Sequence, residues 1–176
     1  MTPRQLLEEA AQLKESMVFN RRYLHVHAET GFDLKDTYAF VKKTLIDMGY
    51  GPLRCGKAGL VALAGGKKGG KVFLIRADMD ALPIQETAEV DFASANGSMH
   101  ACGHDVHTSI LLGAVRVLEH YRNQIAGSIL FFFQPSEETL QGGKLFAESP
   151  KIDFHAIDGV AALHVTPDLC AGKIGV

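Results

Sequence analysis

Residues 60–80 read LVALAGGKKGGKVFLIRADMD. Two apolar runs flank a break of glycine and lysine, and the second run ends abruptly in Asp78-Met79-Asp80. Short apolar runs bounded by turn residues read as strands. Leu60 to Ala64 and Lys71 to Ala77 are therefore expected to form a hairpin, with GGKKGG as its turn and no phosphate-loop signature beside it. The second run is apolar on both faces, as a buried central strand should be.

Outward from this pair, the pattern alternates. Upstream, Thr2, Pro3 and Gln5 form a capping-box start. Leu6, Ala10, Leu13 and Met17 follow at helical spacing and predict a first helix to about Arg22. Asp36 is read as the cap of a second helix carrying Tyr38, Val41, Leu45 and Met48, with Gly49 as its stop. Downstream, a loop from Asp78 to Gly103 leads into a long helix with Ile110, Leu111, Ala114, Val115, Leu118 and Tyr121 on one face. SILFFFQPSEE then supplies a strand, GGKLFAES a short helix and AIDGVAALHV another strand. This order predicts an α/β fold with a mostly parallel sheet flanked by helices. The long loop is expected to be functional, because structureless loops of that length are uncommon inside compact domains.

At 176 residues with a net charge of -2, the chain is one domain's worth, and neither nucleic acid nor an anionic membrane is an expected partner. No apolar run is long enough to span a bilayer, and the amphipathic, acid-containing N-terminus is not a signal peptide. The three cysteines, Cys55, Cys102 and Cys170, are odd in number and have no paired spacing. That usage fits a reducing compartment, so a cytoplasmic location is expected.

Open α/β sheets bind ligands beyond the carboxyl ends of their strands. Asp78 and Asp80 follow one strand, Glu137 and Glu138 a second, and His164 a third. The segment MHACGHDVH (99–107) opens the long helix from the same rim. A cysteine nucleophile needs one histidine and one orienting group, which leaves this acidic surplus unexplained. Crowded carboxylates repel one another unless cations neutralise them, and two divalent ions resolve the conflict. Cys102, near a helix N-terminus and a cation, would be held as thiolate, which suits a ligand. Neighbouring residues in extended chain point to opposite sides, so Glu137 and Glu138 are expected to divide their labour, one on metal and one as proton shuttle.

RADMDALPI (76–84), MHACGHDVHTSILLGA (99–114), FFFQPSEE (131–138) and LHV (163–165) together resemble the M20 metallopeptidase superfamily. The likeness is to its amidohydrolase branch of aminoacylases, hippurate hydrolases, auxin-conjugate hydrolases and N-acetyl-diaminopimelate deacetylases. It extends from about Phe19 to the last residue. The resemblance implies metal ligands at Cys102, His104, Glu138 and His164 and a general base at Glu137. It implies two divalent ions, manganese or zinc, with cobalt or nickel as alternatives. Asp80 matches a supporting acidic position, and Asp105 is expected to orient His104 or cap the helix. The implied reaction is hydrolysis of the amide of a small N-acyl amino acid by a metal-activated water. A dipeptidase or carboxypeptidase of the same superfamily, or a non-catalytic metal-binding fragment, are the competing readings.

The segment LHVHAETGF (24–32) resembles a family block but has Ala28 where proline is usual. His25, His27 and Glu29 fall outside the implied ligand set and are expected to be structural. His100 and His107 are expected to support the loop or touch substrate, and His120 and His155 to be solvated. Family members continue into a lid and dimerisation domain and return with a final histidine ligand. Residues 1–176 are accordingly expected to be the N-terminal part of the catalytic domain, inactive alone and oligomeric only through the missing domain.

Overall fold

The computed structural model describes residues 1–66 and 69–175; Lys67 and Lys68, at the centre of the expected hairpin turn, lie outside the described residues. Helices α1 (Pro3–Gln12), α2 (Lys14–Val26) and α3 (Lys35–Asp47) precede strands β1 (Leu53–Cys55), β2 (Gly59–Gly65) and β3 (Val72–Asp78). Helix α4 (His104–His120), strand β4 (Ser128–Gln134), helix α5 (Gly142–Ala147) and strand β5 (Gly159–Ala162) complete the chain. The five strands form one mixed sheet in the order β1-β2-β4-β3-β5. Among the described residues no helix is long and apolar enough to cross a membrane.

The expected hairpin does not form. β4 inserts between its two arms, antiparallel to β2 and parallel to β3, and Ser128 pairs with both Gly65 and Val72. The sheet is accordingly mixed, with β3 parallel to β4 and β5 and with β1 and β2 antiparallel. The physical reason is the content of β4. Phe131 and Phe133 are 0% exposed and pack among α3, α4 and β2, while Phe132, on the opposite face, packs with Leu74 and Phe146. A strand apolar on both faces takes the middle of the sheet. Glycine makes the insertion sterically feasible. A Cβ on Gly127 would lie 2.0 Å from the Lys71 carbonyl oxygen, and one on Gly65 would lie 2.3 Å from that of Gly127.

The expected central burial belongs to β4 and not to β3, where Phe73 is 42% exposed. Ile75 lines an open groove of about 330 Å³ that Ile110 and Ala114 of α4 share with Ala161 and Leu163. The deepest side chains of α4 are instead Leu111, Leu112 and Val115.

The N-terminal capping box is present, with Gln5 and Thr2 bonded reciprocally. The single expected helix breaks at Leu13, whose carbonyl accepts both the Met17 N–H and the Ser16 hydroxyl; such back-bonding by serine bends helices. The start of α3 is two residues earlier than expected, with Leu34 and not Asp36 at the cap position, and is capped by a distant side chain. Glu29 accepts the Asp36 and Thr37 N–H groups at 2.8–3.0 Å. Gly49 (φ +79°) ends α3 as expected. Its N–H bonds Ile46 and that of Tyr50 bonds Leu45, the pair of bonds that closes a left-handed cap.

A candidate metal centre at the strand ends

Three strand ends and one helix start meet at one edge of the sheet. Gly103 (φ +87°) stops the loop in left-handed backbone, and His104 opens α4 fully buried. The His104 Nδ1–H donates to the Asp80 carbonyl at 2.7 Å, which leaves Nε2 as a lone pair. That lone pair faces acid: Nε2 lies 3.8 Å from Glu137 Oε2, 3.8 Å from Glu138 Oε1 and 3.7 Å from Asp78 Oδ2. Neither His104 Nε2 nor Glu138 Oε1, both buried, has a hydrogen-bond partner. Beside them, Cys102 Sγ lies 3.4 Å from His164 Nε2. Ligand atoms of Cys102, His104 and His164 fall within 4.8 Å of one another, as do those of His104, Glu137 and Glu138.

Asp80 holds this arrangement without joining it. Its carboxylate accepts the backbone N–H of Glu137 at 2.8 Å and of Glu138 at 3.2 Å. Burial raises the Asp80 pKa, and those two N–H bonds only partly oppose it. The turn it secures overrides the extended-chain expectation for the two glutamates. Ser136 takes φ +55°, a conformation costly for a residue with a Cβ, and its hydroxyl bonds that of Thr139. Both glutamate side chains thus come equally near His104. Asp78, counted on the rim by sequence but given no role, is also buried there. Burial opposes its ionisation most, yet its bond to His107, the neighbouring His104 and the Arg76 guanidinium at 2.7 Å together hold its pKa below the usual range.

A lone pair and two carboxylates pointed at each other repel unless a cation lies between them. Burial and the nearby Glu138, Glu137 and Asp78 carboxylates push the Cys102 thiol up to about 11; a cation bound beside it would reverse that balance and favour the thiolate. Thiolate, imidazole and carboxylate together suit zinc-like ions and tolerate manganese. The residues fit divalent metal.

Comparison with known proteins agrees with the geometry. The model of peptidase family M20/M25/M40 matches residues 74–176. The chain belongs to that family. It is 40% identical to an N-acyl-L-amino acid amidohydrolase of Geobacillus stearothermophilus, over all of this chain and 48% of that protein. It is 38% identical to an N-acetyl-L-cysteine deacetylase of Bacillus subtilis (strain 168), over 93% of this chain and 39% of that protein. Among solved structures it superposes on the Bacillus subtilis YXEP protein, a dinuclear metal binding peptidase from the M20 family. The TM-score is 0.88 at 36% identity, covering 94% of this chain and 46% of that one. The M20 chain spans about half the length of the curated relatives it matches.

Behind the centre of this M20 chain lies a second buried network that sequence reasoning left unconnected. Asp105 does not reach the His104 ring, which Asp80 orients. Its carboxylate bonds His25 Nδ1 at 2.7 Å and Arg21 Nε at 2.9 Å, and it also accepts the N–H of Val106. His25 Nε2 meets Glu86 of the long loop at 3.0 Å, and Glu86 in turn accepts the Ser94 N–H at 2.6 Å. The Asp105 bond, with Glu86 behind it, raises the His25 pKa against the pull of burial. Phe92 of the same loop sits beneath the Arg21 and Arg22 guanidinium groups, each 4.7 Å from its ring centroid. His100 is buried without a partner on either ring nitrogen, and burial lowers its pKa to about 4. His27 bonds the Tyr23 carbonyl; His120 is exposed, as expected, and pairs there with Glu9. His155 is exposed. His104 and His107 lie three apart on one helix face and both approach Asp78; the spacing is legible in the sequence, the meeting with Asp78 is not.

Proposed function

We propose that this chain carries part of a divalent-metal-dependent amidohydrolase acting on small N-acyl amino acids, with zinc or manganese as its ions. Cys102, His104, Glu138 and His164 hold the metal, Glu137 is the general base, and Asp80 fixes both the glutamate turn and the His104 tautomer. The observation that carries this reading is the buried, unpartnered His104 Nε2 facing the Glu137 and Glu138 carboxylates at 3.8 Å. Bound there, divalent ions acidify water and polarise an acyl carbonyl.

The two glutamates stand equally close to His104, so their surroundings support the division between them. Glu138 Oε1 is buried and unpartnered, as a ligand atom awaiting a cation would be. The Glu137 side chain is the more open, at 32% against 24%, and suits a group that must reach water. Glu137 takes a proton from the attacking water and delivers it to the leaving amine, a role that needs hydrogen-bond reach to both. The activities named for the amidohydrolase and deacetylase relatives support an acylated amino acid as substrate. Residues 1–176 are read as the N-terminal part of the catalytic domain, in keeping with relatives about twice as long.

Elemental analysis on this chain tests the ligands; hydrolysis of N-acetyl amino acids and hippurate, on this chain and on a version extended to the relatives' length, tests the base. Glu137→Gln should keep its metal and lose ~10²–10⁴-fold in kcat, whereas Glu138→Gln should lose metal. Full metal content in Glu138→Gln, or undiminished turnover in Glu137→Gln, refutes the assignment.

A further inference from the structure

His164 is the least anchored member of the cluster. It lies two residues beyond β5, in an exposed segment at the edge of the sheet, whereas Cys102 and His104 are fixed by the start of α4. Something must hold residues 163–165 against that helix, and the structure offers one specific contact. The Val165 N–H donates to His107 Nε2 at 2.9 Å. That nitrogen therefore carries no proton, and the ring's single N–H is on Nδ1, where it donates to Asp78 Oδ1 at 2.6 Å. Asp78 is in turn clamped by Arg76 at 2.7 Å. The chain Arg76–Asp78–His107 thus fixes one tautomer and aims its acceptor at a single backbone amide. The His107 and His164 rings meet edge to face, with centroids 4.5 Å apart.

A second contact closes the same gap. Val165 sits over Gly103, the residue between Cys102 and His104. A Cβ there would lie 2.4 Å from Val165 Cγ2. The missing side chain is thus a notch into which Val165 docks while His164 swings toward Cys102 Sγ.

We propose that His107 is a positioning residue for His164: held in one tautomer by Asp78, it latches the Val165 amide and so delivers the His164 imidazole to the metal centre. The inference rests on the ligand assignment proposed above for His164. The latch is a contact between protein groups alone, which lets the two be tested apart.

Two variants separate the acceptor from the donor. His107→Gln keeps an acceptor about where Nε2 lies, while His107→Asn keeps a donor near Nδ1 and has nothing that reaches Val165. Zinc affinity is measured by chelator competition on the whole chain, and cobalt(II) absorption reports thiolate ligation. Partners that orient metal ligands typically contribute ~10–100-fold in affinity. His107→Asn should therefore bind zinc ~10-fold or more weakly while keeping its thiolate band, and His107→Gln should stay within ~3-fold of the parent. Equal affinity for all three proteins, or equal weakening of both variants, overturns the latch.

Amide hydrogen exchange on the metal-free parent gives an answer even if a variant fails to fold. The Val165 N–H should exchange at least ~10-fold more slowly than an open-loop amide, although the residue is 40% exposed and lies outside every strand. Exchange at the open-loop rate refutes the proposal. Failure of the parent chain to bind zinc, with Val165 still protected, would sink the ligand assignment and the role proposed for His107 with it, but leave the contact standing.

Discussion

Replacing His25 with alanine tests whether the buried network behind the centre secures the long loop. The substitution removes two hydrogen bonds to carboxylates, 2.7 Å to Asp105 and 3.0 Å to Glu86. Both carboxyl groups are almost wholly buried, with side-chain exposures of 0% and 1%. Hydrogen bonds to charged groups contribute ~1.5–3 kcal/mol each, and breaking a buried ion pair from one side costs ~3–5 kcal/mol. Asp105 keeps Arg21 and Glu86 keeps the Ser94 N–H, which places the expected loss near the lower bound, ~3 kcal/mol. With a urea slope of ~1–3 kcal/mol/M, the unfolding midpoint at pH 6 should fall by ~1–3 M.

The pH dependence carries a sign. His25 is raised above 6.5, so its contribution is complete below that value and fades as pH rises through the folded pKa. For Asp105 and Glu86, burial acts upward, but the His25 bonds hold both below their usual values. Their contribution is lost only as pH falls through those lowered values. The penalty of His25→Ala should therefore be largest near pH 6 and shrink on the alkaline side. A loss under ~1 kcal/mol at pH 6, or a penalty that grows with pH, refutes the network as a source of stability.

Two further outcomes follow from named contacts. Zinc at ~100 times its Kd should stabilise the chain by ~2.7 kcal/mol in thermal or urea unfolding, and the gain should vanish in His104→Ala; an equal gain in that variant would place the binding elsewhere. Glu29→Ala removes the acceptor of two backbone N–H groups at the start of α3 and should cost ~1 kcal/mol, up to ~2. An unchanged urea midpoint would show that water caps the helix as well.

Local pattern was sufficient for most of the elements and for the donor types, though not for the break at Leu13 or for the short strand β1. The capping box, the apolar face of α4, the Gly49 stop and the strand ILFFF are each written within a few consecutive residues, because hydrogen bonding and side-chain period act over that range. The rim placement of Asp78, Asp80, Glu137, Glu138 and His164 followed from their positions just after strands. Pairing partners were another matter. Nothing local to GGKKGG says that β4 will pass between its arms; that depends on which strand most needs cover on both faces.

The same division holds at the centre. Residue types alone identified cysteine, imidazole and carboxylate as a metal-loving set, since softness and charge belong to the side chain wherever it sits. Only the folded chain turned both glutamates to one side, through a left-handed Ser136 and the Asp80 carboxylate, two residues beyond β3, that grips their amides. Only the folded chain brought His25 to Asp105 across 80 residues and His107 to Asp78 and Val165. These contacts join segments whose separation in sequence carries no signal of their meeting, and the energy that selects them is released when the core closes around them.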